Sequence, residues 1–116
     1  MVRKNADKNI ERSEHKFGGE GFVTVRFLTN SDEELNGKGR CFAHSTLLPG
    51  HEIGFHMHSG ESEAYYIYSG KGAFNDNGTV VPVEAGDVTF TPSGTGHGLK
   101  CVGDDPLEFI ALILYA

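Results

Sequence analysis

The sequence predicts an all-β protein built from antiparallel strands, a sandwich or barrel, on three observations. Runs of strand length, rich in β-branched and aromatic residues, alternate with Gly, Pro and Asn turn signals along most of the chain, roughly seven to nine in all. No stretch of about ten or more residues carries helical periodicity with caps. Sixteen glycines among 116 residues suit a fold with many tight turns and corners.

A chain of this length, 38% hydrophobic, forms one domain with a modest core. Ten Lys plus Arg against 16 Asp plus Glu give a net charge of −6. With no basic block, attraction to nucleic acid or an anionic membrane is not expected, and the expected partner is a small molecule or a second copy of the chain. No apolar run is long enough to span a bilayer, and Arg3, Lys4, Asp7 and Lys8 keep the start too polar for a secretory leader. The expected location is therefore cytoplasmic. In a reducing compartment Cys41 and Cys101 read as small buried apolar residues and not as a bridge.

Residues 1–20 are charged, weakly periodic and end in Gly18-Gly19, which predicts an arm outside the core or against a partner subunit; the barrel domain is 21–116. His15 on that arm is expected to bind nothing. Phe22 to Thr29 reads as a strand. Arg26 within it points either inward, toward an anionic substrate, or outward into solvent, where charged residues are usually found. Asn30 to Gly39 is a loop, and Cys41 to Leu48 a strand ending at the Pro49-Gly50 turn. His51 falls in that turn at the surface, His44 is either pocket wall or core, and Gly54 marks a connection before the next strand.

The stretch His56 to Gly70, HMHSGESEAYYIYSG, organises the rest. His56 and His58 leave a strand on one face while Met57 leaves on the other. Two imidazoles on one face make half a metal site. A turn at Ser59-Gly60 leads to Glu63 and the apolar run Ala64 to Tyr68, a second strand that could bring a carboxylate beside the histidines in a hairpin-like unit. Alternation puts Tyr65 and Ile67 with Glu63, and Tyr66 and Tyr68 outside. Next, Gly72 to Phe74 and Thr79 to Val83 flank Asn75-Asp76-Asn77-Gly78, a hairpin signal. Strands at Val88 to Thr91 and His97 to Val102 follow, with Leu99 and Cys101 on the side of His97. Leu107 to Tyr115 is apolar on both faces, as for a strand covered on both, by the core and by a second subunit.

Two blocks stand out: Gly50, five residues, His56-x-His58, four residues, Glu63, six residues, Gly70; then Gly86, five residues, Pro92-x-Gly94, two residues, His97. The pair resembles the motifs of the cupin superfamily, in its short oxalate-decarboxylase-like and sugar-isomerase-like members. The resemblance implies a jelly-roll β-barrel holding one metal through His56, His58, Glu63 and His97. Cys101 departs from it, standing where the second motif usually has Asn. The implied cofactor is one divalent transition metal per chain, manganese first, with iron, nickel, zinc, cobalt or copper as alternatives. Three imidazoles and a carboxylate suit these ions better than calcium or magnesium, which want oxygen. Four protein ligands leave coordination positions for substrate.

Glu61 is a general acid or base at the mouth of the site, a partner orienting a histidine, or a solvated turn residue. The implied function is a metal-dependent enzyme, a decarboxylase, isomerase or dioxygenase, acting on a small carboxylate- or sugar-type substrate that chelates the ion. The alternative is a non-catalytic cupin that binds or senses a small ligand. Outward tyrosines beside the doubly apolar last strand predict a homodimer.

Overall fold

Leu107–Tyr115 (β10) is the strand on which the architecture hangs. Its inward residues Leu107, Phe109, Ala111 and Ile113 are buried, while Glu108, Ile110 and Leu112 alternate onto the opposite face. Strand pleating imposes that alternation, so an apolar run can feed a core and also present an apolar outer surface. In the computed structural model, which describes residues 1–116, β10 pairs antiparallel with Gly39–Leu47 (β3) on one side and Glu61–Ser69 (β5) on the other.

With Ile10–Glu14 (β1), Phe22–Phe27 (β2) and Val88–Thr91 (β8), these form a six-stranded sheet of order β1-β2-β3-β10-β5-β8. Glu52–Met57 (β4), Lys71–Asp76 (β6), Thr79–Glu84 (β7) and Gly96–Val102 (β9) form a second sheet of order β4-β9-β6-β7. Every ladder is antiparallel. The result is the all-β jelly-roll arrangement the motifs implied, as two facing sheets. The core between them joins Val23, Ala43, Leu47 and Ile67 of the first to Phe74, Val83, Leu99 and Cys101 of the second. Each large apolar side chain so buried contributes about 1.5–3 kcal/mol.

The hairpin between β6 and β7 is tighter than the four-residue signal suggested. Asp76 pairs with Thr79, leaving Asn77 and Gly78 as the turn, both with positive φ, and Asn75 Oδ1 accepts the Gly78 N–H at 2.7 Å. Asn-Gly is the dipeptide that tolerates this backbone.

Three local expectations are corrected. The first twenty residues lie outside the core as expected but are not separate from the barrel, because Ile10 to Glu14 pair with Arg26 to Phe22 along β2, and the Arg12 guanidinium lies 3.5 Å from the Phe22 ring centroid. This strand has no buried residue, so it lacks the apolar alternation by which strands are recognised, as suits a charged sheet edge. Gly54 lies inside β4 and not before it, at a register shift between Ile53 and His56. The runs carrying His56 and Glu63 do not form a hairpin, since β4 and β5 belong to different sheets.

Both cysteines are free. Cys101 is buried and its thiol donates to the Asp105 carbonyl at 3.2 Å. Burial pushes the Cys41 thiol up to about 11. No helix is long and apolar enough to cross a membrane.

Candidate metal centre

His56 and His97 are cross-strand partners on β4 and β9. The irregularity at Gly54 re-aims the strand so that Ile53 and His56, three apart, both line the interior. His58 follows the end of β4. Its N–H donates to Thr95 O at 2.9 Å and its carbonyl accepts from Gly94 at 2.8 Å, which pins it to the loop before β9. Glu63 arrives from the other sheet, on β5, in register with Thr91 of β8. The site therefore spans the two sheets.

One donor atom from each of His56, His58, Glu63 and His97 lies within 4.8 Å of the others, and all but His56 are buried. Glu63 Oε1 is 3.1 Å from His58 Nε2 and 3.0 Å from His97 Nε2, and those two nitrogens are 3.0 Å apart. Tyr65 lies nearly parallel to His97, centroids 5.0 Å apart.

The outer hydrogen bonds decide which nitrogen of each ring faces inward. His56 Nδ1 lies 2.9 Å from Gly54 O, and a carbonyl only accepts, so Nδ1 carries the proton and the Nε2 lone pair points into the cluster. His58 Nδ1 likewise donates to Glu61 Oε1 at 2.9 Å. His97 Nδ1 is 2.8 Å from the Thr91 hydroxyl. Lone pairs and a carboxylate converging at such distances repel unless a proton or cation sits among them. Imidazole nitrogen with one carboxylate is the donor set of divalent transition metals, so these residues fit such an ion. Burial, with help from the neighbouring imidazoles, outweighs the Gly54 hydrogen bond and lowers the His56 pKa, favouring the neutral form that ligation needs.

Glu61 is not a solvated turn residue. Arg40 grips it with two bonds, Nε to Oε2 at 2.7 Å and a terminal nitrogen to Oε1 at 2.6 Å, while Oε1 also accepts from His58. The Arg40 hydrogen bond, with a smaller one from His58, draws the Glu61 carboxyl down to about 2 against its partial burial.

The cluster opens onto a cavity of about 320 Å³. His56, His58, Glu63, Glu61, Arg40, Lys16 and Phe17 line it together with interior apolar side chains. His97, fully buried, is not among the lining residues and closes the back of the site. Tyr65 lines the cavity as expected, whereas Ile67, Leu99 and Cys101 lie in the packed core instead.

Sequence reasoning missed Arg40, Phe17, Lys16 and Thr91. Only Thr91 left a trace, as one of two threonines that alternate with Val88 and Phe90 along β8; Arg40 meets Glu61 across 21 residues with no local signal. Four other residues of interest fall elsewhere. Arg26 takes the outward position of the two expected, part-exposed on the outer face and donating to Thr46 Oγ1 at 3.1 Å. His44 is neither pocket wall nor core. It joins Glu108 and Tyr68 on that same face, with Tyr68 donating to Glu108 at 2.7 Å. His51 is partly buried, packed edge-on to Phe22, and His15 Nδ1 meets only the Gly19 carbonyl, at 3.2 Å.

Two facing antiparallel sheets with an inward cluster of three histidines and a glutamate define a β-sandwich of the metal-binding jelly-roll class. Residues 43–113 match the Cupin domain family, and the chain belongs to it. It is similar to an oxalate-binding protein of Thermotoga maritima, 44% identical over 114 residues covering 98% of this chain and 93% of that one. A crystal structure from Thermotoga maritima, described as a predicted oxalate decarboxylase, superposes with a TM-score of 0.94 at 43% identity over the whole of both chains. The oxalate decarboxylase OxdC of Bacillus subtilis is 32% identical over 72 residues, 58% of this chain but 19% of that protein.

Proposed function

We propose that His56, His58, Glu63 and His97 hold one divalent transition metal, and that the site binds and transforms a small carboxylate that chelates it. The convergence of three imidazoles and a carboxylate at the head of an open cavity carries this reading. The similarity to an oxalate-binding protein favours a carboxylate over a sugar. Manganese is the first candidate, with iron, nickel, zinc, cobalt and copper behind it, because this donor set does not discriminate among them.

When bound, the metal supplies Lewis acidity, or dioxygen binding if it is iron. The chain's own residues do the rest. His97, Thr91 and Tyr65 form a rigid back wall. Glu61, although it borders the cavity, has both oxygens engaged, which favours a positioning role, holding the proton on His58 Nδ1, over proton transfer to substrate. Lys16 and Arg40 place positive charge on the cavity wall, where a second carboxylate oxygen or a developing anion would lie.

A non-catalytic binding role is the second reading, and the name of the oxalate-binding relative favours it. Elemental analysis of purified wild type and His58→Ala, followed by turnover assays of the loaded protein with oxalate and α-keto acids, tests both. Near-stoichiometric metal lost in the variant supports the site. Turnover supports the enzyme, and saturable binding without turnover supports the binding module.

The protein is further proposed to act in the cytoplasm and as a homodimer through the outer face of the six-stranded sheet, where Tyr66, Val88, Phe90 and Leu114 are exposed. A one-chain mass in sedimentation at micromolar concentration would overturn the dimer.

A further inference from the structure

The cavity has two unlike ends. At one, His56, His58 and Glu63 face the interior, with Arg40 and Lys16 on the adjoining wall. Lys16 has no acidic partner within ion-pair distance, so its charge is free to meet an anion. Ile113 pairs with Glu63 and so belongs to this end; at the other, Val23, Val25, Ile53, Phe109 and Ala111 line the same space, all five buried and all apolar. They come from β2, β3's neighbour β10, and β4, so both sheets build this chamber.

A ligand that is carboxylate at both ends does not match it. A second carboxylate directed into this chamber would lose water and find only the Ser45 hydroxyl, between Val25 and Phe109, as a donor, an expensive burial. The volume points the same way. At about 30 Å³, the share of one water in the liquid, the cavity has room for roughly ten water-sized groups, more than a chelating carboxylate head requires.

Resting on the metal site argued above, we propose that the ligand is a carboxylate with an apolar body, of the class of α-keto acids bearing a branched aliphatic chain. Its oxygens sit at the histidine end, beside Lys16 and Arg40. Its hydrocarbon part fills the chamber between Val25 and Ala111. Oxalate would share only the head.

The test is titration calorimetry on manganese-loaded protein, its metal content verified, with oxalate, pyruvate and the α-keto acid derived from leucine. Each buried methylene raises affinity about fourfold, so the leucine-derived acid is expected to bind at least tenfold more tightly than pyruvate. Val25→Phe and Ala111→Leu, which narrow the chamber from two different strands, are expected to abolish that increment, with melting curves confirming that each variant folds. Equal affinity for the two acids in wild type, or an increment that survives both substitutions, overturns the apolar-body assignment while oxalate and pyruvate binding keep the metal-site reading standing. Wild-type protein that takes up no metal overturns both.

Discussion

The ring of Phe17 lies flat on that of His56, centroids 3.9 Å apart and planes 13° from parallel. Phe17 reaches this position from a left-handed backbone, φ 52°, as does His15 at φ 51°. An L-residue with a large side chain adopts this conformation at a cost of about 1–2 kcal/mol. The Phe17 carbonyl lies so close to Gly54 that a Cβ there would overlap it, so only glycine lets this segment lie against β4. A strained segment is thus clamped onto a proposed metal ligand.

Removing the ring should loosen His56 more than the fold. Phe17→Ala is expected to lower stability by about 1 kcal/mol, the scale of one aromatic stack, and to speed metal loss to a chelator several-fold. Phe17→Gly should show the same metal loss with less destabilisation, since glycine relieves the backbone. Gly54→Ala, which lifts the segment from the other side, should copy the metal phenotype. Unchanged chelator kinetics in all three would remove Phe17 from the site.

Glu61→Gln keeps the shape of the side chain but replaces the carboxylate that fixes the His58 tautomer. Metal affinity should fall about 10–100-fold, the range for partners of ligating histidines. Arg40→Ala should give a smaller loss in the same direction, because Glu61 keeps its bond to His58. Competition with a metallochromic chelator reads both. Full affinity in Glu61→Gln with activity abolished would instead assign Glu61 to proton transfer.

The outer cluster sets an acid limb on stability away from the metal. Burial raises the Glu108 pKa, but hydrogen bonds from Tyr68, His44 and Thr46 together outweigh it and hold the carboxyl below its ordinary 4.5. A depressed folded-state pKa gives stability that is present above 4.5 and lost as pH falls through the depressed value. Glu108→Gln should therefore flatten the melting temperature against pH below that point. An acid limb of unchanged slope would remove Glu108 as its source.

At alkaline pH the sign reverses for Tyr68, raised to about 12, first by burial and then by Glu108. Its contribution is complete below its ordinary value of 10 and disappears as pH rises through about 12. Tyr65 and Tyr115 are raised as well, Tyr65 chiefly by burial and Tyr115 by its bond to Asp32, so tyrosinate absorbance should show several late-titrating groups, one fewer in Tyr68→Phe.

His56, His58 and Glu63 were legible because proposed ligands a few residues apart leave a local spacing, and the strands because pleating writes burial into alternation. The hairpin at Asn77-Gly78 was legible because positive φ restricts residue choice. β1 was not, since a strand buried on neither face carries no alternation. Nor was the bulge at Gly54, because glycine signals a turn and a strand irregularity alike. Contacts across long chain separations were hidden for a different reason: Arg40 with Glu61 and Phe17 with His56 depend on which strands become neighbours, a property of sheet packing that no local window contains. The sequence by itself determined the fold class and the proposed donor set, through short-range chemistry. Only the tertiary structure placed Glu63 across from His56, oriented the imidazoles, and enclosed an apolar chamber beside them, because these follow from two sheets packing face to face.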